Sequence, residues 1–243
     1  MTSPLKRLTC PIDSIDNFNV DTRRVFLKIP ANERVTFKAG QYLEMILPRK
    51  KCPFSIANAP ELEGLIELHI RPTPDSDDSV EIEKLLDGRR DIEIEIPKGD
   101  TFVDAAPDNT LILIAASTGI TQMKSICEHL MTKPLKHPIY LYWGVLADKD
   151  LYLAPLLESW EASHPEFHFI PVVSDPGSSP EWKGRTGLVG QAVLEDFEDL
   201  TNVTVYVSGG PAMVYATLDA FLERGMPESS MHSDIFSYAP RGN

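Results

Sequence analysis

Cysteine is scarce in this sequence: Cys10, Cys52 and Cys127 are the only three in 243 residues, and none stands in a CxxC pair. Three thiolates cannot fill a four-thiolate site, so an iron–sulfur cluster or zinc ion held by four cysteines of this chain is excluded. Unpaired thiols fit a reducing compartment, and the chain is expected in the cytoplasm. Long hydrophobic runs are lacking too. The longest, Leu111 to Ala116, is strand-length, well short of the ~18 residues that a membrane span needs. The first residues, MTSPLKRLTCPID, carry charge but no apolar stretch, so no secretory leader is expected. Positive charge is in short supply as well: 23 Lys and Arg stand against 36 Asp and Glu, a net charge of -13. Such a field repels phosphate backbones and anionic lipid, so neither a nucleic acid nor a membrane surface is expected as a partner. Hydrolytic signatures are missing: there is no GxSxG, no HExxH, and the six histidines are scattered. No metal site is expected.

What is present divides the chain in two. Up to about residue 100, short β-rich segments alternate with turn residues: Asn19 to Ile29, Tyr42 to Leu47, then Ile66, Leu68 and Ile70 spaced by Glu67 and His69. Ile92, Ile94 and Ile96 repeat that period of two, which marks half-buried strands of an antiparallel barrel or sandwich. Val80 to Leu86 reads as one short helix with Ser79 as its N-cap. The acidic run Asp75-Ser76-Asp77-Asp78 reads as a solvated loop. Beyond the linker Pro97 to Asn109, apolar strands (Leu111 to Ala116, Ile139 to Trp143, Phe167 to Val173, Val203 to Val207) alternate with helical stretches. Those stretches are Gln122 to Met131, Leu151 to Ser163, Leu188 to Phe197 and Met213 to Arg224. Strand–helix alternation builds a parallel sheet covered on both faces.

Three segments carry chemistry. In LILIAASTGITQMKSI, a buried strand runs through Ser117, Thr118 and Gly119 into a helix. Small residues there let a backbone approach a pyrophosphate at the helix N-terminus, although any strand–helix turn in a parallel sheet favours small residues. In VYVSGGPAMV, a strand ends in Ser208-Gly209-Gly210 and Pro211 suits a first helical position. Both loops, and Trp143-Gly144 with them, fall at carboxyl ends of strands, where open α/β sheets bind ligands; core packing is the other reading of Trp143. In KKCPFSIANAP, Pro53 fixes a turn, Phe54 offers a ring face and the Ser55 hydroxyl can donate to a ring nitrogen. His69 shares a strand face with Glu67, either as a functional imidazole or as a solvated or barrel-wall residue.

The order of these segments is the most specific signal. Gly40-Gln41-Tyr42, Cys52-Pro53-Phe54-Ser55, IELHI, AASTGIT, YWG, WKGRTG and SGGPAM run in series from about Leu8 to Tyr238. The chain in this respect resembles the ferredoxin-NADP reductase superfamily, and most closely its compact bacterial NAD(P)H:flavin oxidoreductases. The resemblance implies an N-terminal antiparallel six-stranded β-barrel that binds flavin (residues 1–103). A Rossmann-like parallel α/β nucleotide-binding domain follows (residues 104–243), with the nicotinamide meeting the flavin in the cleft between. Tyr42, Pro53, Phe54 and Ser55 would line the isoalloxazine, with Ser55 as the catalytic side chain near the hydride-accepting nitrogen. His69, Ile70 and Arg71 would contact the ring or ribityl chain. Ser117, Thr118, Gly119, Ile120, Thr121, Trp143, Gly144, Gly209, Pro211 and Met213 would hold the dinucleotide. Asp234, Phe236 and Tyr238 belong to the segment that covers the flavin's far side.

Two departures shape the functional expectation. The family's flavin motif begins with Arg, and Cys52 stands in its place; Arg49, Lys50 and Lys51 are the nearby sources of replacement charge. No second phosphate motif follows, only DDSVEIEKLL. The chain is therefore expected to be an NAD(P)H-dependent flavin reductase. FMN, FAD or riboflavin would be an exchangeable substrate, and the reduced product would serve a flavin-dependent monooxygenase, a luciferase or ferric iron. One alternative is a reductase with tightly held flavin that feeds an iron–sulfur or haem partner; another is a non-catalytic subunit that keeps only the fold. The choice between NADH and NADPH rests on what meets the 2′-phosphate, with Ser174, Lys183 and Arg185 as candidates.

Overall fold

The computed structural model describes residues 4–241; the first three residues of the N-terminal segment read above lie outside it. The chain forms two compact units, one of Met1–Asp104 with Lys124–His129, the other of Ala105–Met123 with Leu130–Asn243.

The first unit carries strands β1 (Lys6–Cys10), β2 (Ile12–Asn17), β3 (Arg23–Lys28), β4 (Tyr42–Ile46), β5 (Lys51–Ser55), β6 (Leu65–Ile70) and β7 (Ile92–Lys98), and helix α1 (Asp77–Asp87). They pair as two antiparallel sheets, β1-β7-β4-β5 and β2-β3-β6. Pro11 separates β1 from β2, because proline has no N–H to give a ladder. The unit's described strands thus number seven, in sheets of four and three, where six were expected. A continuous apolar core draws on both sheets, including Leu8, Val25, Leu27, Leu43, Met45, Leu68 and Ile94, with Ile82 and Leu86 of α1 closing on it.

Several local expectations need correction. Asn19 to Thr22 is a turn, not strand: Asn19 Oδ1 accepts from the Asp21 and Thr22 amides. Helix α1 begins three residues before the expected start, and Ser76, not Ser79, is its N-cap. The acidic run is thus no free loop: Asp77 and Asp78 occupy the first helical turn, where the positive end of the dipole favours them. Strand β7 takes the first two residues of the expected linker.

The second unit carries β8 (Thr110–Ala116), α2 (Ile120–Leu130), β9 (Ile139–Val145), α3 (Ala154–Ser163), β10 (Phe167–Val173) and β11 (Arg185–Thr186). It continues with α4 (Val189–Asp196), β12 (Val203–Ser208), α5 (Pro211–Leu222), β13 (Met231–His232) and α6 (Ile235–Tyr238). Residues Lys124–His129 of α2 count with the first unit. The six strands form a parallel sheet ordered β11-β10-β9-β8-β12-β13. Ile112, Ile114, Val205 and Val207 of its centre pack with Val189 and Val193 of α4 and with Val214, Leu218 and Phe221 of α5. All six strands end on the same edge, so the chemistry-bearing loops gather there.

Candidate functional site

In the first unit, strand pairing decides which residues share a face. Tyr42 lies opposite Ser55, Glu44 opposite Pro53, Leu43 opposite Phe54 and Met45 opposite Cys52. Directly opposed residues point to the same side of a sheet. Tyr42, Pro53 and Ser55 therefore share the outer face, Tyr42 and Ser55 half-buried; Pro53, expected to fix a turn, lies instead exposed within the edge strand β5, where a missing N–H is tolerated. Phe54 takes the inner face and packs against the apolar core, as does Cys52, which is 8% exposed. A residue at position 52 thus points into hydrocarbon, away from Ser55. Of the three neighbouring cations, Lys50 pairs with Asp78 and Lys51 with Glu95 at 2.7 Å, while Arg49 is exposed.

Strand β6 departs furthest from the expected half-wet pattern, since Ile66 to Ile70 are all buried. His69 is no solvated residue. Its Nε2 lies 2.9 Å from Glu67 Oε1, and its ring meets Phe18 edge-on at 4.8 Å. Glu67 also accepts from Arg24 at 2.8 Å and from Lys124 at 2.9 Å. Burial works to raise the Glu67 carboxyl, but the His69 hydrogen bond and the Lys124 charge outweigh it and hold the group well below the usual carboxylate range. Burial, helped by Lys124 and Arg24 and opposed by Glu67, lowers the His69 pKa, so the imidazole is neutral and donates its Nε2–H to Glu67. Ile70 joins the core, and Arg71 pairs with Asp21 at 2.8 Å.

Sequence reasoning did not find Lys124. It is 2% exposed, and its Nζ donates to Glu67, to Glu128 at 2.7 Å and to the Ala57 carbonyl at 3.1 Å. Ser125 Oγ donates to the Asn58 carbonyl at 2.8 Å, and Glu128 accepts from the Ala59 amide at 3.0 Å. The three residues fix segment 57–59, which continues the strand bearing Ser55. The only sequence signal was a lysine inside an apolar helical run.

In the second unit, the turn from β8 to α2 is a single 3-10 turn, Ser117–Gly119. Ser117 adopts a φ of 51°, the left-handed region where a side chain is strained. Its carbonyl accepts from Trp143 Nε1 at 2.8 Å, and the ring is fully buried, edge-on to Tyr152 at 5.2 Å. Trp143 is thus a core residue that braces the turn. Thr121 Oγ1 donates to the Thr118 carbonyl at 2.7 Å, and Ile120 is buried. Gly119 is dictated by close approach, since a Cβ there would sit 2.3 Å from the Ser208 carbonyl oxygen. The pairing of Ser208 with Ala115 brings the two loops together. Gly209 lies against Ala116 and Met213, and Pro211 is the first residue of α5, with Gly210 as N-cap.

Between these loops opens a cavity of about 500 Å³, within the range of small-molecule sites. Ala116, Ser117, Gly144, Met213 and Ser174 line it, together with Leu146 and residues 187–191, of which only Gly187 falls in a motif singled out above. Leu146 and Leu188 form apolar lips, 63% and 73% exposed. The room is bounded by strand ends, small residues and residues of α4 and α5, the setting in which open α/β sheets bind ligands. Asp234 accepts from the buried Gln122 at 3.0 Å and precedes α6, Phe236 packs beside Tyr215, and Tyr238 is exposed. No helix among the described residues is long and apolar enough to cross a membrane.

Known proteins give this arrangement a context. An oxidoreductase FAD-binding domain model matches residues 9–102, and an oxidoreductase NAD-binding domain model matches residues 113–219. A CDP-6-deoxy-L-threo-D-glycero-4-hexulose-3-dehydrase reductase of Yersinia pestis is 36% identical, over 95% of this chain and 69% of its own. An NAD(P)H-flavin reductase of Aliivibrio fischeri is 34% identical, over 95% of this chain and 99% of its own. Among solved structures, an Amycolatopsis cytochrome P450 reductase superposes with a TM-score of 0.85 at 30% identity, over 95% of this chain and 70% of the other.

Proposed function

The chain belongs to the FAD- and NAD-binding oxidoreductases of the ferredoxin-NADP reductase superfamily that include the NAD(P)H-flavin reductases, and from that premise we propose that it reduces a loosely held, exchangeable flavin. When bound, the nicotinamide supplies a hydride and the flavin accepts it; the organic chemistry belongs to those two molecules. The chain's own task is to bind, orient and exclude water. Ser55, on the outer face beside Tyr42, is the hydrogen-bond donor to the flavin ring in this reading. The turn Ser117–Gly119 and the start of α2 take the anionic part of the dinucleotide, and the 500 Å³ cavity takes its far end.

One observation carries the exchangeable-substrate reading: the position where the family's flavin motif has its Arg is turned into the apolar core. Cys52 faces hydrocarbon, Lys50 and Lys51 are paired with acids, and α1 opens on two aspartates. A phosphate-bearing flavin gains no strong anchor there, so release competes with retention. The reduced product would pass to a flavin-dependent monooxygenase or to ferric iron. The second reading is direct electron delivery to a partner enzyme. The similarity to a P450 reductase and to a dehydrase reductase favours it.

The test is nicotinamide oxidation by the purified protein with riboflavin, FMN or FAD added in turn. Oxidation that depends on added flavin and saturates with it is expected. A yellow protein that oxidises nicotinamide at full rate without added flavin would overturn the exchangeable-substrate reading in favour of the second. Ser55→Ala is expected to lower kcat at least about tenfold, as the loss of one charge-stabilising donor does in other enzymes, with an unchanged melting temperature. Unaltered kinetics would remove Ser55 from the mechanism.

A further inference from the structure

We infer that Lys124 is a positioning residue for flavin reduction, acting through the backbone of residues 57–59 to fix where the Ser55 hydroxyl stands. The inference rests on the reading of Ser55 as the donor to the flavin ring. Ser55 is the last residue of β5, and β5 is an outer strand of its sheet. The ladder therefore holds Ser55 from one side only, through its pairing with Tyr42. One further backbone bond, from the Ile56 amide to the Gln41 carbonyl at 3.1 Å, continues that pairing. A strand end held on one side frays unless the chain beyond it is anchored.

Side chains do the anchoring here. Ala57, Asn58 and Ala59 belong to no strand or helix, yet they are 0%, 1% and 6% exposed. Buried backbone outside regular structure must find its hydrogen bonds elsewhere. Helix α2 supplies three of them. Lys124 Nζ donates to the Ala57 carbonyl at 3.1 Å, Ser125 Oγ donates to the Asn58 carbonyl at 2.8 Å, and Glu128 accepts from the Ala59 amide at 3.0 Å. Strand β6 adds two more: the Glu67 carbonyl accepts from the Ala57 amide at 2.8 Å, and the Glu67 amide donates to Asn58 Oδ1 at 2.7 Å.

Lys124 joins the two sets, since the same Nζ also donates to the carboxylates of Glu67 and Glu128. A buried ion pair adds little stability over well-packed apolar residues of the same volume, because desolvation offsets its attraction. What the ammonium adds is direction: donors aimed at Ala57, Glu67 and Glu128 leave the segment one place to sit. Only the buried Ile56 lies between Ala57 and Ser55, so a shift at Ala57 is carried to the hydroxyl. Hydride transfer is sensitive to such shifts, because a misplacement of about 1 Å can cost about a hundredfold in rate.

The experiment is a double-mutant cycle on the full chain, with Lys124→Met and Ser55→Ala made singly and together. Hydride transfer is read in a single turnover with FMN and excess NADH or NADPH, whichever the wild type oxidises, as loss of the oxidised flavin's absorbance. Each rate is divided by the folded fraction from circular dichroism. Lys124→Met is expected to slow transfer at least about fivefold when Ser55 is present and less than about twofold once it is alanine, the non-additivity of residues that act as a unit. Lys124→Arg, which keeps a donor for the Ala57 carbonyl, should regain at least about half of the lost rate. A residue that only stabilises the fold would slow neither background after that correction, and one acting apart from Ser55 would slow both equally. Either result overturns the inference and leaves the flavin reductase reading intact. If Lys124→Met does not fold, Ser125→Ala, which leaves the ion pair with Glu67 in place, takes its position in the cycle under the same criterion. Wild-type rates in Ser55→Ala alone would remove Ser55 from the mechanism and the inference with it. A wild type that reduces no flavin would sink the flavin reductase reading first, and the inference with it.

Discussion

Strand β6 of the first unit and strand β8 of the second are both buried on both faces, and they fill those faces differently. Along β8, every buried position from Leu111 to Ala115 is apolar. Along β6, Ile66, Leu68 and Ile70 face the apolar core, while Glu67 and His69 occupy the other side in a network with Arg24 and Lys124. A hydrophobic strand can be covered by any apolar neighbour of about the right size. A charged strand face can be covered only if partners arrive with matching charge and geometry, because an unpaired buried charge costs several kcal/mol. The β8 solution is tolerant and local. The β6 solution is exacting, and it depends on a lysine 57 residues away.

This contrast can be broken or sharpened by substitution. The largest effect is expected from Lys124→Met, which keeps the chain length and leaves Glu67 with one fewer partner. A loss of about 3–5 kcal/mol is expected, read from denaturant melts, with Lys124→Arg recovering part of it; a loss near zero would show that β6 does not depend on its charges. Acid should expose the same network. The His69 pKa is depressed from 6.5 and that of Glu67 from 4.5. Below those unfolded values the unfolded chain binds protons that the folded one refuses. Stability is therefore fully present above about pH 6.5 and falls as pH drops toward the depressed folded values, first through His69 and then through Glu67.

Smaller effects are expected at the turn after β8, where shape and not charge is the constraint. Gly119→Ala forces a methyl group against the Ser208 backbone and should cost about 1–3 kcal/mol. It should also raise the KM for the nicotinamide, since the two loops must part to admit it; an unchanged KM would detach this turn from nucleotide binding. The smallest change is favourable. Ser117→Gly relieves the left-handed strain at φ 51° and, after the extra freedom glycine gives the unfolded chain, should stabilise by about 0.5 kcal/mol. A net loss would mean that the serine hydroxyl contributes more than its backbone strain costs.

Legibility in the sequence followed the same divide. The parallel sheet was readable because each of its central strands is a run of apolar residues and each helix a separate amphipathic stretch. The loops at its carboxyl edge were readable because small residues and a proline mark them. In the first unit, period-two segments located β6 and β7, and a short β-rich segment bounded by turn residues located β4. The N-cap of α1 was misplaced because Ser76 and Ser79 are both good caps, and only the fold of the preceding turn selects between them. Trp143 carried two readings, and burial with a hydrogen bond to Ser117 chose the core one.

The sequence by itself determined the class of each half, the strand–helix alternation of the second, and the location of the two small-residue loops at the carboxyl edge of the parallel sheet. These depend on periodicity, turn chemistry and backbone freedom, which act over a few residues. Only the tertiary structure decided that Cys52 and Phe54 face the core while Tyr42 and Ser55 share the other face, that Lys124 holds Glu67, and that Arg185 is committed to Asp196. Those outcomes depend on strand register and on charges meeting across long sequence separations. Hydrogen-bond geometry and desolvation fix such meetings, and residue order along the chain does not carry that information.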